Sequence, residues 1–265
     1  MKHMYKAVKV GSSVIGNGPF SVWAGPCSVE SVDQLKNTAS QVKRWGGTGL
    51  RGGLYKLRTD PKAFQGMGRE AYEIAKKVKT EIGLPFISEI TDPRQIEDLM
   101  DVVDVFQVGS RNMYNYALLK ELSLIRKPVL LKRGFAATFK EWILAADYLI
   151  KGGNEDVILC ERGIRTFETS TRNTFDVNSI ALAKLETPFP VMADPSHGTG
   201  RADLVVQMAL AAAAAGADGL LVEVHPDPAQ AKSDGYQSLN FNQYETLMTK
   251  LPKLLSALDR TMAVV

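Results

Sequence analysis

The sequence predicts an α/β protein, a closed (β/α)8 TIM barrel with an N-terminal β-hairpin extension. Three observations carry this. From residue 20 onward, short β-rich runs alternate with helical patterns eight times, the count that closes such a barrel. Several of the runs are near-continuously apolar, as strands are when both faces are covered. The 265 residues show no break in composition, and a barrel of this kind occupies about 250. A doubly wound open sheet is the competing arrangement, and eight even repeats favour closure. Residues 1–19 are expected to form the extension and residues 20–265 the barrel.

The elements follow in order. Residues 5–10 and 12–15, with Gly16-Asn17-Gly18 behind them, read as a hairpin that caps the barrel bottom. The strand candidates are residues 21–24, 49–54, 85–89, 105–108, 128–132, 157–161, 190–193 and 219–224. Between them lie amphipathic segments. Residues 33–45 keep Leu35, Ala39, Val42 and Trp45 on one side, and residues 69–82 do so with Ala71, Ile74, Ala75 and Val78. Residues 140–150, 204–215 and 244–258 behave similarly. No repeat, linker or low-complexity segment marks a separate regulatory domain.

Composition excludes several function classes. With 45% hydrophobic and 23% charged residues, the chain has an ordinary core and surface. A net charge of +3 without a Lys/Arg run gives no reason to expect nucleic acid. The most apolar stretch, 204–224, is interrupted by Gln207, Gly216, Asp218 and Gly219, so a membrane span is not expected. Two cysteines, Cys27 and Cys160, make no disulfide framework. With no secretory signal, the expected compartment is the cytoplasm. The sequence also lacks a dinucleotide fingerprint in context, a Walker loop and a Gly-x-Ser-x-Gly elbow.

Four residues with metal-ligand chemistry lie at or just beyond strand ends. Cys27 sits in Gly25-Pro26-Cys27-Ser28, His197 in Asp194-Pro195-Ser196-His197-Gly198, Glu223 in Val222-Glu223-Val224-His225, and Asp234 in Asp234-Gly235-Tyr236-Gln237-Ser238-Leu239. Closure puts the first, seventh and eighth strands side by side, so all four meet at the C-terminal face where barrel sites form. Thiol, imidazole and two carboxylates make a mixed site for a divalent cation. His225 points to the same side of its strand as Glu223 and competes as a ligand or as a group that orients one. A hydrogen-bonded core histidine is the plainer reading of His197 alone. Cys160, in an apolar strand, reads as a small buried hydrophobe, and His3 carries no information.

The same face gathers cations. Arg51 ends the second strand, and Lys56, Arg58 and Thr59 stand in the loop beyond it. Ser110 and Arg111 follow the fourth strand, Lys132 ends the fifth, and Arg162 follows the sixth. Half-buried cations need anionic partners. Glu89 and Glu161 supply some, and phosphate or carboxylate ligands are expected to supply the rest.

In this order, the quoted motifs resemble the 3-deoxy-D-arabino-heptulosonate 7-phosphate (DAHP) synthase family, class I-beta. The resemblance covers roughly residues 20–258. It implies a metal-dependent condensation of phosphoenolpyruvate with erythrose 4-phosphate, the entry step of the shikimate pathway of aromatic amino acid biosynthesis. Carried over by position, it implies that Cys27, His197, Glu223 and Asp234 hold one divalent ion, whether Mn2+, Fe2+, Co2+ or Zn2+. Arg51, Lys56, Arg111, Lys132 and Arg162 would surround phosphoenolpyruvate, with Glu89 and the Ser110 backbone nearby. Arg58 and Thr59 would hold the sugar phosphate, joined by Arg201. The proton on the attacking water is left open between Lys56, His197 and a water on the ion. A homodimer or homotetramer is implied. The chain reads as the bare catalytic core, so feedback inhibition is not expected, although a partner chain could regulate it.

One departure is local. The family's phosphosugar loop reads Lys-Pro-Arg-Thr, whereas Leu57 stands at the proline position here, removing a restriction on φ. The sibling enzyme making 3-deoxy-D-manno-octulosonate 8-phosphate from arabinose 5-phosphate has a longer loop with an asparagine before the arginine, so this loop favours the four-carbon sugar. Two further rivals are a Schiff-base aldolase using Lys132 and a non-catalytic barrel that binds phosphometabolites.

Overall fold

A computed structural model describes residues 6–264. His3 and Tyr5, the latter at the start of the expected hairpin, lie outside the described residues. Two short antiparallel strands come first, β1 (Val8–Val10) and β2 (Ser13–Ile15). Eight parallel strands then close a barrel: β3 (Ser21–Gly25), β4 (Gly49–Arg51), β5 (Phe86–Ile90), β6 (Val105–Val108), β7 (Val129–Lys132), β8 (Val157–Glu161), β9 (Val191–Ala193) and β10 (Gly219–Glu223). β10 pairs with β3 over five residues, from Gly219 opposite Ser21 to Glu223 opposite Gly25. This pairing brings the two ends of the chain together.

The helices are α1 (Val32–Arg44), α2 (Arg69–Ile82), α3 (Ile96–Leu99), α4 (Tyr116–Ser123), α5 (Phe139–Gly152), α6 (Val177–Glu186), α7 (Pro195–Thr199), α8 (Ala202–Ala214) and α9 (Phe241–Ala257). The 3.6-residue pattern locates α1, α2, α5, α8 and α9. Their starts are chemically marked. Ser31 accepts from the Gln34 amide, and Thr138 with Glu141 and Asn240 with Gln243 form capping boxes. α4 and α6 escape the pattern. α4 is only eight residues long. α6 buries Ser179, Ile180 and Ala183 while leaving Leu185 74% exposed, which blurs its apolar face. Among the described residues no helix is long and apolar enough to cross a membrane.

The expected strand 49–54 is shorter than its β-rich run. It ends at Arg51; Gly52 and Leu54 still bond to β5, at the Ile87 carbonyl and the Ser88 side chain, while Gly53 turns to the loop after β3. The Gly53 amide donates to the Cys27 carbonyl, and the Leu54 amide donates to Ser88 Oγ. A Cβ on Gly53 would meet Lys56 Cδ at 2.7 Å and the Cys27 carbonyl oxygen at 2.9 Å. Glycine therefore lets the Lys56 loop close against the Cys27 turn.

Two cores result. One lies between strands and helices, built from residues such as Val22, Leu50, Phe86, Phe106, Leu131, Leu159 and Leu220. The other fills the barrel itself with Trp23, Ile87, Val105, Leu130, Ile158, Cys160, Met192 and Leu221. Gly49 makes room for the largest of these, since a Cβ there would lie 2.3 Å from the Trp23 ring. Val8, Val10 and Ile15 of the hairpin join the same inner cluster, each at most 3% exposed. The extension is thus the barrel's floor. Each such buried side chain contributes about 1.5–3 kcal/mol.

Candidate active site

The strand period of two generates the site from this core. Two residues beyond an inward-facing side chain, the chain faces inward again. From Ile87, Val105, Leu130, Met192 and Leu221, that step leads to Glu89, Gln107, Lys132, Asp194 and Glu223. From Cys160 it leads to Arg162. The lower layers are apolar, and the uppermost is polar and charged although almost wholly buried. Glu89, Gln107, Lys132 and Arg162 of this layer floor a cavity at the C-terminal end of the barrel.

Cys27, His197, Glu223 and Asp234 converge there. One donor atom from each lies within 4.8 Å of all the others. Cys27 Sγ is 3.3 Å from Asp234 Oδ2, and His197 Nε2 is 3.5 Å from Glu223 Oε1. The short helix α7 places the histidine. Asp194 caps it, with Oδ1 accepting from the His197 amide at 2.9 Å and Oδ2 bonded to His197 Nδ1 at 2.8 Å. Burial lowers the His197 pKa to about 4 even though Asp194 and Glu223 pull it upward, so the ring is neutral at pH 7. Burial also opposes ionisation of Asp194, yet His197 and Lys132 hold its carboxyl well below the usual range. A carboxylate accepts, so Nδ1 carries the proton and Nε2 presents a lone pair toward Glu223.

The remaining donors complete this picture. Burial and the nearby Glu223 push the Cys27 thiol up to about 12, against Lys56, whose Nζ lies 3.1 Å from the sulfur. Burial works against the Asp234 carboxylate, but His197, Lys56, Arg172 and Arg58 outweigh it and hold its pKa down. Two carboxylates, an imidazole lone pair and a thiol therefore face one point, an arrangement that a divalent cation fits and stabilises. His225 is not part of it. It is buried behind Glu223's strand, accepting from the Asp227 amide at Nδ1, with Nε2 3.6 Å from Glu30.

The cations surround this point. Arg51 Nη1 lies 2.5 Å from Glu223 Oε1 in a fully buried pair, and its Nε has no hydrogen-bond partner among the described residues. Lys132 Nζ lies 2.5 Å from Asp194 Oδ2, bound there and not free as a Schiff-base nucleophile. Arg58 reaches Ser233 Oγ at 2.7 Å and Asp234 Oδ2 at 3.6 Å. Arg111 donates from Nε to Thr59 Oγ1 at 3.2 Å. Arg51, Lys56, Arg58, Glu89, Ser110, Arg111, Lys132 and Arg162 all line the cavity. Phe135 carries Arg111, Arg162 and Arg165 around its ring at 5.3, 4.8 and 4.8 Å. An aromatic face can hold guanidinium groups close together without consuming their charge. Burial lowers the Arg162 pKa to about 10, which still leaves it charged at pH 7.

Arg201 departs from the expectation. It precedes α8 and forks onto exposed Asp203 at 2.6 and 3.1 Å, away from the cavity lining. The carboxylate two residues on draws it outward. Arg172 takes a place no motif indicated. It lines the cavity and donates to Gln237 Oε1 at 2.8 Å, while Gln237 Nε2 donates to Glu223 Oε2 at 2.6 Å. Glu161 pairs with Arg133 beneath the site.

Fold and site together define a TIM-barrel protein in which four residues that could hold a metal ion stand in a ring of arginines and lysines. The chain belongs to the DAHP synthetase I family, whose model matches residues 5–260. The phospho-2-dehydro-3-deoxyheptonate aldolase of Thermotoga maritima is 43% identical over 251 residues, 95% of this chain and 74% of that protein. A crystal structure of the Thermotoga maritima enzyme superposes with a TM-score of 0.95 at 42% identity, covering 98% of this chain and 76% of the other. A truncated form of 3-deoxy-D-arabino-heptulosonate 7-phosphate synthase from that organism gives 0.92 at 40% identity, with 98% and 95% covered. The 2-dehydro-3-deoxyphosphooctonate aldolase of Methylococcus capsulatus is more distant, 31% identical over 263 residues, 92% of this chain and 90% of that protein.

Proposed function

We infer that this chain condenses phosphoenolpyruvate with erythrose 4-phosphate to give 3-deoxy-D-arabino-heptulosonate 7-phosphate and inorganic phosphate, the first step of the shikimate pathway. The observation that carries this is that His197 and Asp234 of the four-donor group line the same cavity as the cationic ring. A phosphorylated enol acid and a phosphorylated aldehyde need both. In the reaction, C3 of phosphoenolpyruvate bonds to the aldehyde carbon, water adds at C2, and phosphate leaves the resulting hemiketal. Cys27, His197, Glu223 and Asp234 would hold a divalent ion, which would supply Lewis acidity for activating the aldehyde; manganese, iron, cobalt and zinc all suit the donor set.

The residues supply charge, position and protons. Arg51, Arg111, Lys132 and Arg162 hold phosphoenolpyruvate, with Glu89 and Ser110 at its edge. Arg58 and Thr59 take the sugar phosphate. Together they screen two polyanions that would otherwise repel, and fix them in reacting geometry. Burial opposes the charge on Lys56, yet Cys27 and Glu89 raise its pKa. It is therefore an ammonium at neutral pH, suited to giving a proton and not to taking one. His197 is committed through Nδ1 to Asp194, which leaves Nε2 for the cation. A homodimer or homotetramer working in the cytoplasm belongs to this reading, as do residues 20–265 as the catalytic unit.

The octulosonate aldolases share less sequence with this chain, and the four-residue loop 56–59 favours the shorter sugar. The test is phosphate release from phosphoenolpyruvate with erythrose 4-phosphate or arabinose 5-phosphate, with chelator and with restored metal. Release with erythrose 4-phosphate that disappears on chelation and returns with metal is expected. Preference for arabinose 5-phosphate, or full turnover after metal stripping, would refute the assignment.

A further inference from the structure

Ser233 lies just before Asp234 in the loop between β10 and α9 and is 3% exposed. Its Oγ is 2.7 Å from Arg58 Nη1 and 3.1 Å from Cys27 Sγ. The direction of both bonds follows from the groups involved. A guanidinium only donates, so the serine oxygen accepts from Arg58. Its own hydrogen is then free for the sulfur, and a cation on the oxygen makes that hydrogen a stronger donor. The Cys27 thiol directs its own hydrogen to Asp234 Oδ2 at 3.3 Å, so toward Ser233 the sulfur accepts.

The surrounding chain holds this geometry in place. Asp234 adopts a left-handed conformation, φ 52°, where a non-glycine residue is unusual. The turn it makes sends Ser233 toward Cys27 and Arg58, and Asp234 toward the same sulfur. On the other side, Lys232 donates its amide to Glu30 Oε1 at 2.9 Å and places its ammonium 5.5 Å from the Phe64 ring. The loop that carries Asp234 is therefore fastened to both the Cys27 turn and the loop that carries Arg58.

We propose that Ser233 is a positioning residue whose hydroxyl couples the Cys27 ligand to the guanidinium that receives the aldose phosphate. The proposal rests on the reading above, in which Cys27 ligates and Arg58 binds the sugar phosphate. Arg58 spends one N–H on Ser233 and keeps its others for phosphate. Ser233 orients it for that purpose and directs a hydrogen bond onto the sulfur, which reduces the charge the sulfur gives to the cation. Two sites that share no ligand atom are thereby linked through one oxygen.

The test uses the full chain loaded with Co2+, whose sulfur-to-cobalt charge-transfer band reports on the thiolate directly. Ser233→Ala is expected to shift that band and to raise the Michaelis constant for erythrose 4-phosphate about fivefold, the scale of one lost hydrogen bond. The constant for phosphoenolpyruvate should stay in place, and Ser233→Thr, which keeps the hydroxyl, should restore both properties. Arg58→Lys retains the charge but withdraws the fork, and should move the same band although Arg58 contributes no ligand atom. A wild-type protein with no such band would overturn the assignment of Cys27 and this proposal with it. A wild-type band that neither Ser233→Ala nor Arg58→Lys moves overturns the proposal alone, as does an unchanged constant for erythrose 4-phosphate.

Discussion

The buried Cys27 thiol makes metal affinity a steep function of pH. Between pH 6 and 8 the metal-free site carries one proton that ligation must remove. Burial and Glu223 keep the thiol protonated up to about 12. Burial keeps His197 neutral down to about 4, and Glu223 and Asp234 are both held below the usual carboxylate range. Neutral pH lies about five units below the thiol value, so forming the thiolate costs on the order of 7 kcal/mol that the metal–sulfur bond must offset. The sign follows directly. The thiolate fraction rises tenfold per unit of pH, so the association constant should do the same across this window. Competition against a chromophoric chelator at several pH values measures the slope, and calorimetry in buffers of different ionisation enthalpy counts the proton. Cys27→Ser should bind more weakly and with a flat profile, because a serine hydroxyl stays protonated. A wild-type slope near zero would mean that Lys56 already holds a thiolate. A slope near two would mean a protonated His197. Either result refutes the electrostatic picture of the site.

Other perturbations separate the neighbouring residues. Arg51→Leu leaves Glu223 charged in the interior without its arginine, only the Gln237 amide still donating to it, and should lower unfolding free energy in urea by about 3 kcal/mol. Asp194→Asn removes the carboxylate that fixes the His197 tautomer, and should weaken metal binding about 10- to 100-fold with little change in the pH slope. Phe135→Ala takes away the surface shared by three guanidinium groups. It should raise the Michaelis constant for phosphoenolpyruvate about fivefold, the scale of one cation–π contact, as read in steady-state kinetics. Arg201→Ala should leave both Michaelis constants unchanged, since Arg201 is turned toward Asp203.

Much of this arrangement is written in local patterns. Near-continuous apolar runs locate seven of the eight barrel strands closely, because a strand covered on both faces tolerates few polar residues. The run at 49–54 outlasts its strand because Gly53 turns from β5 to the Cys27 turn, a contact that no local pattern encodes. Cys27, His197, Glu223 and Asp234 are legible because each is a metal-ligand residue type at or just beyond a strand end, and ring closure supplies their proximity. Asp194 and Gln107 carry a weaker signal, each lying two residues beyond an inward apolar side chain. Arg172 had none. It sits in an irregular segment, and only the folded path of that segment brings it to Gln237. Arg201 looked equivalent on sequence, but an aspartate two residues later turned it outward.

The hairpin under the barrel has a consequence at the opposite end of the molecule. With Val8, Val10 and Ile15 stoppering one end of the inner column and Trp23 and its neighbours filling the middle, nothing can travel through the axis. The water that adds to C2 and the phosphate that departs must share the doorway used by both reactants. A plugged axis thus ties arrivals and departures to the face that carries the chemistry.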